Sequence, residues 1–267
     1  MIKLIACDLD GTLFDDNKNI DKNIKNVIDK LKKNDILFTM VSGRNEELMD
    51  NVVDYLNIDI PYVCNNGAAI YKNHKPLLYD CIEKESVAKA TRLLYENNIP
   101  FIAYGIEDMY RNLTSEFFKQ RTKAFNKSFK DYYPDLDLSS DDILKITSDF
   151  INHPELIDRI SMEINSYSCT AIIKAEDNIY CVNSITANKG EGLRRVCEYM
   201  GIDMSKEVMA IGDNENDLPM LKEVKVSVSM GNSDDNVKKQ TDYVCLDNNH
   251  NGVSNFLSKY FKDLIAV

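Results

Sequence analysis

The stretch Ala6-Cys7-Asp8-Leu9-Asp10-Gly11-Thr12-Leu13 sets two carboxylates, one residue apart, at the end of the apolar run Ile2 to Cys7. This run predicts a buried strand with Asp8 and Asp10 at its carboxyl end. Open α/β sheets bind their ligands in the crevice outside the carboxyl ends of the strands. Alternation along an extended chain would also turn both aspartates to the same side and Leu9 to the other. We therefore expect a functional site here.

Two like charges this close repel each other and are costly to desolvate, and a divalent cation relieves both effects. The pair Asp8 and Asp10 therefore predicts a Mg²⁺ site. A second interpretation stays open at this point. Asp and Gly are common turn residues, so a bare Asp-x-Asp-Gly also fits a solvated turn between a strand and a loop.

Strand and helix patterns alternate after this stretch. Apolar spacing predicts an amphipathic helix from about 21 to 34, and the run Ile36 to Val41 predicts a second strand. A further helix covers Leu48 to Leu56, and Pro61 to Cys64 forms a third strand. Such a βαβαβ unit builds a parallel sheet with helices on its faces. Asn65-Asn66-Gly67 then signals a turn into a hairpin strand.

A second series of this kind begins at Val208 to Ile211 and continues with strands at Val224 to Met230 and Tyr243 to Leu246. The segment between the two series has no order that requires a doubly wound sheet. It combines helical patterns at Val87 to Leu94 and Phe117 to Phe125 with strands at Phe101 to Tyr104, Ile143 to Thr147, Thr170 to Ala175 and Ile179 to Val182. We predict an α/β fold: a doubly wound parallel sheet from residues 1–83 and 187–267, with an α+β domain inserted at 84–186.

The composition limits the function classes. The chain has 267 residues, 44% of them hydrophobic, and carries a net charge of −11, which would repel nucleic acid and anionic lipid. It contains no apolar run of the roughly 18 residues that span a bilayer, and no secretory signal pattern. Seven cysteines without a CxxC pair suggest small core residues. We expect a cytoplasmic protein that binds neither nucleic acid nor membrane.

Polar residues of complementary types follow four of the predicted strands: Asp8 and Asp10, Ser42-Gly43, Asn65-Asn66-Gly67, and Asp213 to Asp217. Lys189 precedes a further predicted helix. Phosphoryl transfer needs a positioned nucleophile, charge neutralisation and a proton donor, and these residue types supply all three. An anionic substrate also needs a local cationic pocket in so acidic a chain.

Each of these segments also has a structural interpretation. Ser42-Gly43 could cap the next helix, and Lys189 could be a solvated lysine. Asp213 to Asp217 could be a loop, although it lacks the glycine and distal glutamate of an EF-hand. Arg44 could face solvent or form a structural ion pair, so its role stays open. The three histidines, at 74, 153 and 250, lie outside every motif, which argues against a phosphohistidine mechanism.

In order along the chain, Asp8-Leu9-Asp10-Gly11-Thr12, Ser42-Gly43-Arg44, Lys189 and Gly212-Asp213-xx-Asn216-Asp217 resemble the four motifs of the haloacid dehalogenase superfamily. The resemblance is to its Cof-like sugar-phosphatase branch and covers essentially the whole chain. The insert between the Ser and Lys motifs resembles the type C2 (IIB) cap of that branch, which would select the substrate. Each motif alone is weak, whereas four in sequence are specific.

The resemblance implies a role for each matching residue. Asp8 would be the nucleophile that forms an aspartyl-phosphate, and Asp10 the general acid and base. Mg²⁺ would be held by the Asp8 carboxylate, the Asp10 backbone carbonyl and the Asp213 carboxylate. Asp217 would support the metal or Lys189 from behind. The residues implied in binding the substrate phosphate are Leu9, Ser42, Gly43, Lys189 and Asn216.

The expected function is therefore a Mg²⁺-dependent phosphatase of small phosphorylated metabolites, with sugar phosphates implied by the resemblance. The expected assembly state is a monomer or a weak homodimer. Two alternatives remain: a phosphomutase or phosphotransferase on the same scaffold, and a non-catalytic sensor of phosphorylated metabolites. A glycosyltransferase DxD site would explain Asp8 and Asp10 but not Ser42, Lys189 and Asp213. The sequence names no residue that would contact the leaving group.

Overall fold

The computed structural model describes residues 1–113, 115–122, 129–136, 138, 141–167 and 169–265. The chain divides into two compact units, one formed by Met1–Leu77 with Lys189–Val267 and the other by Leu78–Asn188. The sequence placed these boundaries at 83/84 and 186/187, and the roles of catalytic core and cap for the two units stay predictions. Phe125, the end of one predicted helix, lies outside the described residues.

The described residues form fourteen strands and eleven α-helices. The strands are β1 (Leu4–Cys7), β2 (Leu37–Met40), β3 (Tyr62–Cys64), β4 (Ala69–Lys72), β5 (Lys75–Tyr79), β6 (Phe101–Gly105), β7 (Met109–Arg111), β8 (Phe129–Asp131), β9 (Ile143–Asp149), β10 (Thr170–Glu176), β11 (Ile179–Ser184), β12 (Val208–Gly212), β13 (Val226–Ser229) and β14 (Tyr243–Val244). The helices are α1 (Ile24–Lys32), α2 (Asp50–Tyr55), α3 (Lys84–Glu96), α4 (Glu116–Thr122), α5 (Ile157–Asn165), α6 (Lys189–Met200), α7 (Met204–Glu207), α8 (Leu218–Leu221), α9 (Asp235–Lys238), α10 (Gly252–Tyr260) and α11 (Lys262–Ile265).

The first unit is built on a parallel five-stranded sheet with the strand order β14-β13-β12-β1-β2. Every residue of the central strand β1 is fully buried, which explains why its sequence is continuously apolar. Cys7 pairs with Met40 on one side and with Ile211 on the other, so β1, β2 and β12 end at the same level. Residues that follow these three strands therefore meet at one edge of the sheet.

Helices pack against this sheet as the hydrophobic spacing predicted. Helix α1 buries Ile24, Val27, Ile28 and Leu31 and packs with α10, α11 and β2, whereas α6 packs with α8 and β3. The helix expected at 21 to 34 is shorter than predicted. The Asp21 carboxylate accepts the backbone N–H of Asn23 in a turn before the helix, and Asp35 at φ +59° ends the chain reversal after it.

Strands β3, β4 and β5 form a second, three-stranded sheet. Val63 of β3 also pairs with Val41, which continues the line of strands beyond β2. The helix expected over Leu48 to Leu56 is divided: a 3₁₀ turn covers Glu46–Leu48, and α2 begins at Asp50. The predicted hairpin at Asn65-Asn66-Gly67 is present as a 3₁₀ turn into β4.

The second unit contains a mixed six-stranded sheet with the order β10-β11-β9-β6-β7-β8. Its helices α3 and α5 share one hydrophobic core with residues of one sheet face, including Ala103, Ile146 and Val182. Alternation along the strands places Lys145, Thr147 and other polar residues on the opposite face. The sequence-based prediction missed β7 and β8, which have only three residues each, and it also missed α5, although Ile157, Ile160 and Ile164 recur at helical spacing.

The predicted α/β class, with a parallel sheet and a separate sheet domain, is thus confirmed. Among the described residues, no helix combines the length and the apolar character that crossing a membrane requires.

Candidate active site

The carboxyl edge of the parallel sheet carries the predicted site residues. Asp8 follows β1 directly, and its backbone N–H donates to the Ile211 carbonyl (2.9 Å). Asp213 follows β12 in the same way, and Ser42 lies beyond β2. The Asp8 side chain is only 5% exposed, so this carboxylate has almost no access to bulk water.

Lys189, at the start of α6, contributes a buried cation to the same edge. Its Nζ lies 2.6 Å from Asp8 Oδ1 and 2.6 Å from Asp217 Oδ1. Burial alone would favour the neutral amine, but the Asp217 and Asp8 carboxylates outweigh it and raise the pKa of Lys189. The lysine is therefore a fixed positive charge between two aspartates and not a solvated surface residue.

Asp217 is completely buried and uses both of its oxygens within the protein. Oδ1 accepts from Lys189, and Oδ2 accepts the backbone N–H groups of Asp213 (3.0 Å) and Asn214 (3.1 Å). Gly212 allows this approach, since a Cβ there would lie 2.6 Å from the Asp217 Cβ. Asp217 thus holds both Lys189 and the loop that carries Asp213.

Three carboxylates converge on this point, because ligand atoms of Asp8, Asp213 and Asp217 all lie within 4.8 Å of one another. Burial, followed by the charge of Asp217, raises the pKa of Asp8 well above its ordinary value. The same two causes raise the pKa of Asp213 to about 6. One lysine does not neutralise three carboxylates, and hard oxygen donors of this kind suit Mg²⁺.

Asp213 is also held by residues of the first loop. The Thr12 hydroxyl donates to Asp213 Oδ1 (2.9 Å). Gly11, at φ +77°, passes so close that a Cβ would lie 2.5 Å from Asp213 Oδ2. A side chain at position 11 would therefore be strained and would displace this carboxylate. Thr12 was assigned no role from the sequence, although it belongs to the same motif.

Asp10 lies apart from the three converging carboxylates. Its oxygens accept two hydrogen bonds from Arg44, from Nε to Oδ2 (2.7 Å) and from Nη2 to Oδ1 (2.6 Å). Lys18 donates to Oδ1 as well (2.9 Å). Partial burial opposes ionisation, but the hydrogen bonds and charge of Arg44, with Lys18, hold the pKa of Asp10 well below its usual range.

A second polar group surrounds the loop after β2. The backbone N–H of buried Ser42 donates to the Val63 carbonyl (3.0 Å), and its carbonyl accepts from the Asn66 N–H (3.0 Å). A Cβ on Gly43 would lie 2.8 Å from Asn66 Oδ1, and Asn216 donates to that same oxygen (3.4 Å). Asn66 therefore links Gly43 to Asn216; the sequence placed it among the polar residues at strand ends but assigned it no role.

Leu9 faces away from these groups, as alternation predicted. Its side chain is fully buried, and its carbonyl accepts the N–H of Phe14 (2.8 Å).

The structure thus brings Asp8, Lys189, Asp213 and Asp217 together. It sets Ser42, Gly43 and Asn216 in a second cluster and pairs Asp10 with Arg44.

A further group of metal-ligand type is formed by Glu46, Asp50 and His74. His74 Nε2 lies 2.9 Å from Asp54 Oδ1, and Nδ1 lies 2.8 Å from Glu46 Oε1. The hydrogen bonds to Asp54 and Glu46 raise the pKa of His74 to about 9. The imidazole is therefore a cation at neutral pH, which explains the group as an ion-pair cluster.

Comparisons with known proteins assign this fold and site to a family. The sequence profile of haloacid dehalogenase-like hydrolases matches residues 5–257. The chain belongs to this family of hydrolases.

Relatives and solved structures resemble it over nearly their full length. A phosphoglycolate phosphatase of Methanobrevibacter smithii is 27% identical over 97% of this chain and 98% of its own. A 5-amino-6-(5-phospho-D-ribitylamino)uracil phosphatase of Bacillus subtilis is 26% identical over 95% of this chain and 93% of its own. The structure of a sugar phosphatase of subclass IIB has the same fold (TM-score 0.84, 20% identity, 97% of this chain and 99% of the other).

The predicted superfamily and its Cof-like branch are therefore confirmed, as is the enzyme class, a phosphatase of the haloacid dehalogenase type.

Proposed function

We propose that the protein is a Mg²⁺-dependent phosphatase of small phosphorylated metabolites that acts through an aspartyl-phosphate on Asp8. The observation that carries this proposal is the environment of Asp8. Its carboxylate is buried, contacts the Lys189 cation and lies beside Asp213 and Asp217. An aspartate with only a structural role would not need these three further charged groups around it.

Asp8 supplies the nucleophile. One of its oxygens forms a bond to phosphorus while the bond from phosphorus to the leaving oxygen breaks. Asp10 gives a proton to that oxygen, so the alcohol departs neutral. In the second step Asp10 takes a proton from water as the water oxygen attacks the aspartyl-phosphate, which restores Asp8 and releases inorganic phosphate. Lys189 stabilises the negative charge that develops next to Asp8.

The donor set fits a divalent cation. Asp8 and Asp213 would hold Mg²⁺ with their carboxylates, and Asp10 with its backbone carbonyl. The fit rests on the excess negative charge of the buried group and on the raised pKa of Asp213, both of which a bound cation relieves. When bound, Mg²⁺ neutralises charge between the nucleophile and an incoming phosphate dianion.

The loop after β2 would bind the phosphate oxygens. Ser42 offers its hydroxyl and Gly43 its backbone N–H, and Asn216 offers its amide from the opposite loop. Leu9 would add a backbone N–H. The close contact that a Cβ on Gly43 would make with Asn66 supports this role, because the loop leaves no room for a larger residue.

Sugar phosphates are the substrate class we infer. Two of the similar proteins support it, since one acts by its name on a phosphorylated ribityl compound and the subclass IIB neighbour on sugar phosphates. The relative named for phosphoglycolate supports the wider class of small phosphorylated metabolites. The second unit would act as the cap that selects the leaving group. Small phosphorylated molecules are then the expected partners.

The test is phosphate release from a panel of sugar phosphates, nucleotides, pyridoxal phosphate and flavin mononucleotide, with Mg²⁺ and with EDTA. Wild type is compared with Asp8→Asn and with Asp177→Asn, a matched change at a carboxylate that is 93% exposed. We expect Mg²⁺-dependent release that Asp8→Asn abolishes and Asp177→Asn retains.

Phosphate release that persists in Asp8→Asn would exclude Asp8 as the nucleophile. Product analysis in the presence of an alcohol acceptor separates hydrolysis from phosphoryl transfer. A well-folded wild type that releases phosphate from no compound of the panel would contradict the proposal and favour a sensor.

A further inference from the structure

Arg44 makes the most specific contact that the proposed mechanism leaves without a role. Its guanidinium reaches both oxygens of Asp10, at 2.7 Å and 2.6 Å, in the parallel geometry of a bidentate pair. The Arg44 side chain is 19% exposed, and its guanidinium carbon lies 4.8 Å from the centre of the Phe14 ring. Stacking on this ring fixes the plane of the fork.

The backbone of Arg44 is fixed as well. Its N–H donates to the Ser42 hydroxyl (3.1 Å), and its carbonyl accepts from the Asn65 N–H (2.7 Å). Lys18, the other cation on Asp10, differs in each respect. It makes a single hydrogen bond, to Oδ1, and its side chain is 54% exposed. Arg44 is therefore the residue that determines where the Asp10 carboxylate points.

This orientation separates two neighbouring aspartates. Asp8 and Asp10 are two residues apart, yet Asp8 joins the carboxylates of Asp213 and Asp217 and Asp10 does not. A bidentate pair engages both oxygens of Asp10 at once, so rotation toward the three carboxylates would break two charged hydrogen bonds.

We propose that Arg44 is the positioning residue of Asp10, which holds the carboxyl group where it can exchange a proton with the leaving oxygen. The inference rests on the proposed function. In its first step Asp10 carries a proton on one oxygen and keeps the Arg44 hydrogen bond on the other, and it gives that proton to the leaving oxygen as the bond to phosphorus breaks. Arg44 then holds the resulting carboxylate in place until it accepts a proton from the attacking water. Arg44 acts through Asp10 and makes no bond to the substrate.

Leaving-group dependence tests this role. An alkoxide needs a proton to depart, whereas p-nitrophenolate departs without one, so only the alkyl substrate depends on Asp10 in the first step. In Arg44→Met we expect kcat/KM for glycerol phosphate to fall by roughly 10- to 100-fold. We expect kcat/KM for p-nitrophenyl phosphate to fall by less than about 3-fold, because kcat/KM reports the first chemical step, in which this substrate does not depend on Asp10.

Conservative and background variants refine the test. Arg44→Lys retains the charge but can hold only one oxygen, so its loss should be intermediate. In an Asp10→Asn background, Arg44→Met should add no further selectivity between the two substrates. Arg194→Met removes an exposed arginine that pairs with Glu191 and serves as the matched control. If Arg44→Met fails to fold, Arg44→Lys carries the same comparison.

The outcomes separate this inference from the proposed function. Equal losses on both substrates with a raised KM would mean that Arg44 binds the phosphate, and would overturn the positioning role. An unchanged substrate ratio in Arg44→Met would overturn it too, while wild-type hydrolysis of both compounds still supports the phosphatase. Wild type that hydrolyses neither compound would overturn both. Metal-free crystal structures of wild type and Arg44→Met give an independent readout, since an Asp10 side chain that stays in place without Arg44 contradicts the inference.

Discussion

Buried aspartates occur in both units of the molecule, but their surroundings differ. In the second unit, the Asp141 carboxylate accepts the backbone N–H groups of Glu107 (3.2 Å) and Asp108 (3.0 Å). Asp149 likewise accepts the N–H of Ile151 (3.0 Å). In the first unit, Asp8 accepts from the Lys189 cation and lies among two further carboxylates.

This difference distinguishes structural from functional carboxylates. Backbone N–H groups satisfy a buried carboxylate with neutral donors and at the same time fix a loop. Like charges around a buried carboxylate only raise the free energy of the ionised group, so their presence needs another cause, such as a cation or a reaction. We therefore assign Asp8 and Asp213 as functional carboxylates and Asp141 as a structural one.

The largest effect should follow from removing Lys189, the cation that balances the buried carboxylates of the first unit. Lys189→Met leaves Asp8 and Asp217 buried without their shared partner. We expect the free energy of unfolding at neutral pH to fall by about 3–5 kcal/mol, since breaking a buried pair leaves uncompensated charge. Urea unfolding in EDTA measures the loss, and phosphate release should disappear.

Lys206→Met is the matched control, because Lys206 is 77% exposed and pairs with surface Asp203. Its expected change is below about 1 kcal/mol. If Lys189→Met were as stable as this control, the charge of the buried carboxylates would not be an important part of the energetics of the site.

A smaller effect is expected at Asp141, the carboxylate with a structural role in the second unit. In Asp141→Asn, one side-chain oxygen becomes an N–H₂ group that faces a backbone donor at Glu107 or Asp108. We expect a loss of about 1–3 kcal/mol and faster hydrogen exchange of these two amides, with hydrolysis of p-nitrophenyl phosphate unchanged. Loss of this hydrolysis in a folded Asp141→Asn variant would contradict the structural assignment.

The sequence predicted the first unit well because its signals are local. Strands β1, β2 and β12 are mostly apolar runs, and a polar motif follows each of them. Asp8, Ser42 and Asp213 could therefore be assigned to one sheet edge, where the structure places them.

Contacts between distant residues could not be predicted in this way. Arg44 meets Asp10 across 34 positions, and no periodic pattern connects them. In the sequence, Asp141 resembles an ordinary loop residue. Nothing there shows that backbone N–H groups donate to its carboxylate. The strands β7 and β8 were also missed, because three residues carry too little periodicity and tertiary packing determines their conformation.

A moderate effect is expected from a residue that supports Asp213 without being charged. Thr12→Val removes the hydroxyl that donates to Asp213 Oδ1 and conserves the shape of the side chain. We expect the Mg²⁺ affinity to fall by roughly tenfold, because an outer hydrogen bond orients a metal ligand. The Mg²⁺ concentration for half-maximal activity and calorimetric titration both measure it.

Thr91→Val, in α3 of the second unit, is the control, since the Thr91 hydroxyl donates to the Val87 carbonyl of its own helix. An unchanged Mg²⁺ midpoint in Thr12→Val would show that the orientation of Asp213 does not depend on this hydrogen bond.

The smallest effect concerns carboxylates paired near the surface, around His74. Asp54 and Glu46 raise the pKa of His74 to about 9, above its ordinary value of 6.5. The stabilisation is therefore fully present below about pH 6.5 and is lost as the pH rises through about 9. Solvent screening at the His74 side chain, which is 38% exposed, limits this stabilisation to about 1 kcal/mol or less.

His74→Gln should be less stable than wild type at pH 6 and equally stable at pH 10, whereas His153→Gln should change the stability little. A difference that is the same at both pH values would mean that His74 contributes by packing against Tyr62 and not by charge.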